Sequence, residues 1–149
     1  MAVRNATIAV DFDGTVVTHA YPHIGMDAGA VPVLRELVRN DCRLILLTMR
    51  SGHLLDDAVR WFRERDIPLY AVNDNPTQHA WSSSPKVHAD LYIDDSALGC
   101  PTRFMEGVSR AVADWQEIRR QLVRDGYLDC PYGETMRCAS SLPCFRSAA

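Results

Sequence analysis

The chain has 149 residues, 47% of them apolar and 23% charged, with a formal net charge of −3. That length allows one domain with a substantial core and excludes two of ordinary size. The weakly acidic balance gives no electrostatic reason to expect nucleic acid or an anionic membrane as a partner, and the longest aliphatic run, Leu44 to Leu47, is far too short to span a bilayer.

The first element is the sharpest. Ala6 to Val10 is a short apolar run that ends abruptly in Asp11-Phe12-Asp13-Gly14-Thr15, which predicts a buried strand delivering carboxylates to its C-terminal end. Strand alternation puts Asp11 and Asp13 on one side and Phe12 on the other. Val16 to Ala30 reads as a loop, with Pro22, Gly25 and Gly29 and a small flap bearing His19, Tyr21 and His23.

Pro32 suits a helix N1 position, and Val33, Leu34, Leu37 and Val38 mark one face of a helix ending near Asn40. Cys42 to Thr48 follows as a strand apolar enough to be buried on both faces. A second helix is expected over about His53 to Arg65, capped by Ser51, then a strand over Leu69 to Val72 closed by Asn73-Asp74-Asn75-Pro76. Residues 77–89 look irregular. Ala89 to Ile93 is a fourth strand stopping at Asp94-Asp95, which as a bare pair could also cap a following helix. Val108, Val112, Trp115, Ile118 and Leu122 predict a last helix over about Glu106 to Asp125, with Gly126 as its C′ residue.

Residues 1–126 are therefore expected to form one domain and 127–149 an irregular tail containing Cys130, Cys138 and Cys144, whose spacing matches no zinc pattern. No signal peptide is evident around Arg4, so five cysteines predict reduced thiols and a cytoplasmic location.

Alternating strands and helices predict an α/β fold with a parallel sheet, whose right-handed crossovers bring every strand's C-terminal end to one edge. That edge collects Asp11, Asp13, Thr48, Arg50, Asn73, Asp94 and Asp95, where ligands of open α/β sheets bind. Arg50 is a candidate for gripping a substrate phosphate or carboxylate, or a partner for Asp74 or Asp95; Asn73 is a candidate on the substrate side, and Trp81 lies in a loop near the strand ends.

Asp11-Phe12-Asp13-Gly14-Thr15-Val16-Val17 closely resembles the first signature of the haloacid dehalogenase superfamily, and Thr48, Lys86 and Asp94-Asp95 resemble its remaining signatures in order. The resemblance covers about residues 5–125. It implies a Rossmann-like three-layer sandwich around a central parallel sheet, with no cap domain, since only short segments stand at Val16 to Ala30 and Val72 to Lys86. It further implies Asp11 as a nucleophile forming an aspartyl-phosphate, Asp13 as general acid and base, Thr48 as a donor to a phosphoryl oxygen and Lys86 as the cation beside Asp11. Asp11, Asp94 and the main-chain carbonyl of Asp13, with Asp95 in a supporting position, would hold a divalent metal. Two unit charges about 4 Å apart interact by roughly 4 kcal/mol at an effective dielectric near 20, so converging carboxylates need more than Lys86. Mg²⁺ fits hard oxygen donors, and no His/Cys cluster argues for zinc.

The expected function is that of a Mg²⁺-dependent phosphohydrolase acting on a nucleotide or another small phosphomonoester. A phosphotransferase, a nucleic-acid end phosphatase and a non-catalytic binding protein of the same fold are the alternatives. An open site would draw its specificity from the flap, from a neighbour in a homo-oligomer or from a large substrate. No membrane partner is expected.

Overall fold

The computed structural model describes residues 5–130. Four parallel strands, β1 (Thr7–Val10), β2 (Arg43–Leu46), β3 (Ala71–Val72) and β4 (Leu91–Ile93), form a sheet in the order β3-β2-β1-β4. The four residues of β1 are all buried, as a strand flanked on both sides requires. Register sets Ile8 against Leu44 and Leu91, and Val10 against Leu46 and Ile93.

Three helices accompany the sheet: α1 (Ala30–Arg39), α2 (Gly52–Arg63) and α3 (Trp115–Arg124). Buried residues of all three, among them Leu34, Leu37, Phe62, Ile118 and Leu122, join one core with Ile8, Val10, Leu44, Leu46 and Ile93. Phe12 extends this core, its ring packing edge-on against Trp61 at 5.8 Å between centroids.

The opposite register positions, Ala9 and Ile45, form a separate small cluster with Ala89, flanked by Leu47, Tyr70, Ala71 and Val87. No helix contributes to it. The expected α/β sheet with flanking helices is present, but the second face carries a loop layer in place of a helical one. The crossover from β3 to β4 contains only a 3₁₀ helix, Pro76–Ala80, in the stretch expected to be irregular. Asn75 caps it, accepting from Thr77 N–H.

The largest departure lies before α3. The segment expected to begin the last helix instead makes β5 (Thr102–Arg103) and β6 (Val112–Ala113), an antiparallel pair. Gly107, at φ +75°, turns the chain between them. Asp114 then caps α3, accepting from the N–H groups of Gln116 and Glu117. Gly126 closes it at φ +81° as predicted. Leu128 is buried in the core, two residues beyond the expected domain end at 126. The expectations for residues 131–149, including Cys138 and Cys144, and for Arg4 lie outside the described residues.

The other two helices start differently from their sequence signals. Pro32 is the third residue of α1, and the Asp27 carboxylate caps that helix by accepting from Gly29 and Ala30 N–H. Ser51 stands at the start of α2 but makes no capping hydrogen bond with its side chain. Among the described residues, no helix is long and apolar enough to cross a membrane.

Candidate active site and metal centre

Asp11 leaves β1 with its N–H still donating to Ile93 O, so the sheet fixes its position. The chain then turns hard: the N–H groups of Thr15, Val16 and Val17 all converge on Phe12 O. Gly14 sits in this turn at φ +87°. A Cβ there would run into the His19 ring and lie 2.8 Å from Asp95 Oδ2, so both backbone freedom and close approach require glycine.

The turn buries the Thr15 hydroxyl between two strand ends. It lies 2.8 Å from Asp11 Oδ2 and 3.1 Å from Asp95 Oδ1, and it accepts from Asp95 N–H at 2.9 Å. One hydroxyl has one proton, so it donates to one carboxylate at a time. The Thr15 carbonyl in turn accepts from the indole of buried Trp115 at 2.7 Å. Thr15 was read in the sequence only as part of the turn. Its bridging role shows once β1 and β4 are neighbours.

Asp11, Asp94 and Asp95 each offer a carboxylate oxygen, and these atoms lie within 4.8 Å of one another. Burial pushes the Asp11 carboxyl up to about 7, with Asp94 and Asp95 adding to the rise against the opposing pull of the Thr15 hydroxyl. Three half-buried carboxylates with only oxygen donors fit a hard divalent cation, which would offset the burial and the added repulsion that lift Asp11. Asp94 also accepts from Ser96 N–H at 2.8 Å, which makes a turn where a helix cap was the alternative reading. His19 Nε2 approaches Asp95 Oδ2 to 3.2 Å without hydrogen-bond geometry, a contact between a ring and a carboxylate rather than a directed bond.

The Asp13 carboxylate does not join this triad. Arg50, with its side chain 1% exposed, grips it through both oxygens at 2.7 Å each. Beside the carboxylate, the guanidinium holds its own proton more firmly than usual. The same guanidinium donates to the carbonyls of Pro22 and His23. Arg50 was expected to face substrate, or to pair with Asp74 or Asp95. It is instead a buried tie, and Asp74 pairs with His79. The main-chain carbonyl of Asp13, the group expected to face a metal, accepts no hydrogen bond among the described residues.

Thr48 reaches the site at the end of β2, its Oγ1 accepting from Arg50 N–H at 3.2 Å and keeping its own proton to donate. Asn73 does not reach it. Its amide is spent on the neighbouring backbone, accepting from Thr48 N–H at 2.7 Å and donating to Thr48 O at 2.9 Å. It adopts φ +49°, which asparagine tolerates better than most residues.

Lys86 is not brought to the carboxylates either. Gln78 ties down its loop, donating to Ser84 O and Lys86 O and accepting from His88 N–H. The exposed Lys86 lines a different cavity, shared with Trp81, His88 and Tyr92.

A cavity of about 450 Å³ opens over the triad, within the range of small-molecule sites. Asp11, Asp13, Asp94, Asp95 and Thr48 line it, together with His19, Tyr21, Met49, Ser96 and Arg110. Arg110 was hidden from sequence reading by the helix expected over its segment. A larger cavity of about 510 Å³ beside Val59, Phe62 and Ile67 lacks any comparable convergence of carboxylates and hydroxyls.

No protein-family model matches the chain, and no curated protein matches it. A solved structure does: a conserved protein coded by a locus of Bacteroides thetaiotaomicron, 40% identical, with a TM-score of 0.67 over 82% of this chain and 93% of that one. At that identity and coverage, the chain belongs to the same family as the conserved Bacteroides protein.

Proposed function

We propose that the chain is a divalent-metal-dependent phosphohydrolase of the haloacid dehalogenase type, acting on a small phosphomonoester through an aspartyl-phosphate on Asp11, with Mg²⁺ as its metal. The observation that carries this reading is the grouping of Asp11, Asp94 and Asp95, whose carboxylate oxygens lie within 4.8 Å of one another on a cavity that Asp13 and Thr48 also line.

Asp11, Asp94 and Asp95 would hold the metal, which when bound supplies charge neutralisation and polarises the phosphoryl group. A carboxylate oxygen of Asp11 attacks phosphorus, and the bond from phosphorus to the ester oxygen breaks with its electron pair leaving on that oxygen. The leaving oxygen takes a proton from the Asp13 carboxyl. Water then attacks the aspartyl-phosphate, giving its proton to Asp13, and inorganic phosphate departs as the Asp11 carboxylate is restored. Thr48 donates its hydroxyl to a phosphoryl oxygen throughout.

The Arg50 clamp favours a second reading, a protein of this fold that binds metal and phosphate without turnover, because the guanidinium competes with the transferred proton for the same Asp13 oxygens. Hydrolysis of an aryl phosphate with and without Mg²⁺, in the wild type and in Asp11→Asn, separates the two. Metal-dependent turnover abolished by the substitution supports the enzyme. Turnover that survives it overturns the nucleophile, and phosphate binding without turnover supports the second reading.

A further inference from the structure

We propose that Arg110, Tyr21 and Met49 form the substrate-recognition rim of the cavity: Arg110 pairs with the phosphoryl group, and Tyr21 and Met49 flank a planar ring on the leaving group. The inference rests on the phosphate-directed reading of the site.

Charge decides the role of Arg110. Of the four carboxylates lining the cavity, Asp13 is matched by Arg50, which leaves the triad. A divalent cation on three ionised carboxylates still leaves one negative charge facing an incoming phosphate. Lys86, expected to cancel it, lines another cavity. Arg110 is exposed on the triad's cavity and forms no ion pair with a described residue, so its guanidinium is free for a phosphoryl oxygen pair.

Its position is built. Arg110 stands two residues before β6, whose Ala113 N–H donates to Gly14 O at 2.9 Å. Trp115, the first residue of α3, holds Thr15 O. The segment carrying Arg110 is thereby pinned to the turn that carries the carboxylates.

The other side of the mouth is apolar. Met49 is 98% exposed and Tyr21 64% exposed, yet both line the cavity and both are set by Arg50. Met49 stands between Thr48 and Arg50, two residues anchored by hydrogen bonds. Tyr21 stacks its ring over the Arg50 guanidinium at 5.4 Å. A fully exposed thioether beside a steadied aromatic ring suits a flat apolar group.

Calorimetric titration of inorganic phosphate into the Mg²⁺-loaded protein tests the first half without requiring turnover. Arg110→Ala should weaken phosphate binding roughly tenfold to a hundredfold, Arg110→Lys should restore part of it, and Mg²⁺ affinity measured alone should stay within about twofold. Lys86→Ala should leave phosphate affinity unchanged. If Arg110→Ala binds phosphate as the wild type does, the assignment is overturned while hydrolysis is untouched by that result. If the wild type binds no phosphate, this inference falls, and the aryl phosphate assay decides the proposed function separately.

The second half is read from KM values for phenyl phosphate, a nucleoside 5′-monophosphate and glycerol phosphate, or from their competition with bound phosphate if turnover is absent. The wild type should favour one of the ring-bearing esters, and which one identifies the ring. Tyr21→Ala should raise the ring-bearing values several-fold and leave glycerol phosphate unchanged. Equal losses across all three overturn the ring subsite.

Discussion

At the scale of single residues, the site is held by groups with no spare room. Gly14→Ala places a methyl group into the His19 ring at a backbone φ of +87°. We expect a loss of about 2 kcal/mol in stability, seen as a lower Tm, together with weaker Mg²⁺ binding. Arg50→Leu strips Asp13 of both hydrogen bonds and leaves the Pro22 and His23 carbonyls without their donor. Removing one partner of so buried a pair should destabilise by about 3 kcal/mol in urea unfolding. Asp11 gives a pH signature. Its folded carboxyl titrates at about 7 against an unfolded value of 3.8, so the metal-free folded state holds the extra proton between them. Stability of the metal-free protein is therefore highest below about pH 4 from this contribution and falls as pH rises through 7. Asp11→Asn removes that slope. Because water reaches part of the group, the variant should be about 2 kcal/mol more stable than wild type at pH 8, read from paired unfolding curves.

At the scale of elements, short-range patterns were legible and long-range pinning was not. β1 was legible because its apolar run stops at two aspartates, and α2 because Ala58 and Phe62 fall on one face. Val108 and Val112 happen to continue the spacing of Trp115, Ile118 and Leu122, yet Val112 is a strand residue facing Arg103. The true start of α3 was written as Asp114 three residues before Glu117, a capping pattern outweighed by the longer periodicity. Asp114→Ala should cost about 1 kcal/mol and, because α3 grips the carboxylate turn through Trp115, should also weaken Mg²⁺ binding in calorimetry. Asn73 and Lys86 stand away from the carboxylates for a related reason: a polar residue at a strand end can face the ligand or tie the backbone. Only the neighbouring strand, or the reach of Gln78 in the case of Lys86, decides which.

For the whole molecule, the parallel sheet and the gathering of Asp11, Asp94 and Asp95 followed from strand order alone, since β4 pairs directly with β1. The loop cover of the second face did not, because a crossover without an α-helix leaves no periodicity to read. Added Mg²⁺ should raise the protein's stability by about 2.7 kcal/mol at a hundred times its Kd. The gain should shrink below pH 7, where the proton on Asp11 competes with the metal. Differential scanning calorimetry across pH 5 to 8, with chelator as the reference, checks both directions.

Arg50 also decides how a ligand arrives. Its guanidinium holds the Pro22 and His23 carbonyls while gripping Asp13, so the loop that lines the cavity through His19 and Tyr21 is stapled to the turn beside it. A loop fastened in this way is a wall and not a door. Ligands meet a finished entrance, and the rate at which they enter is set by encounter with that entrance rather than by waiting for it to open.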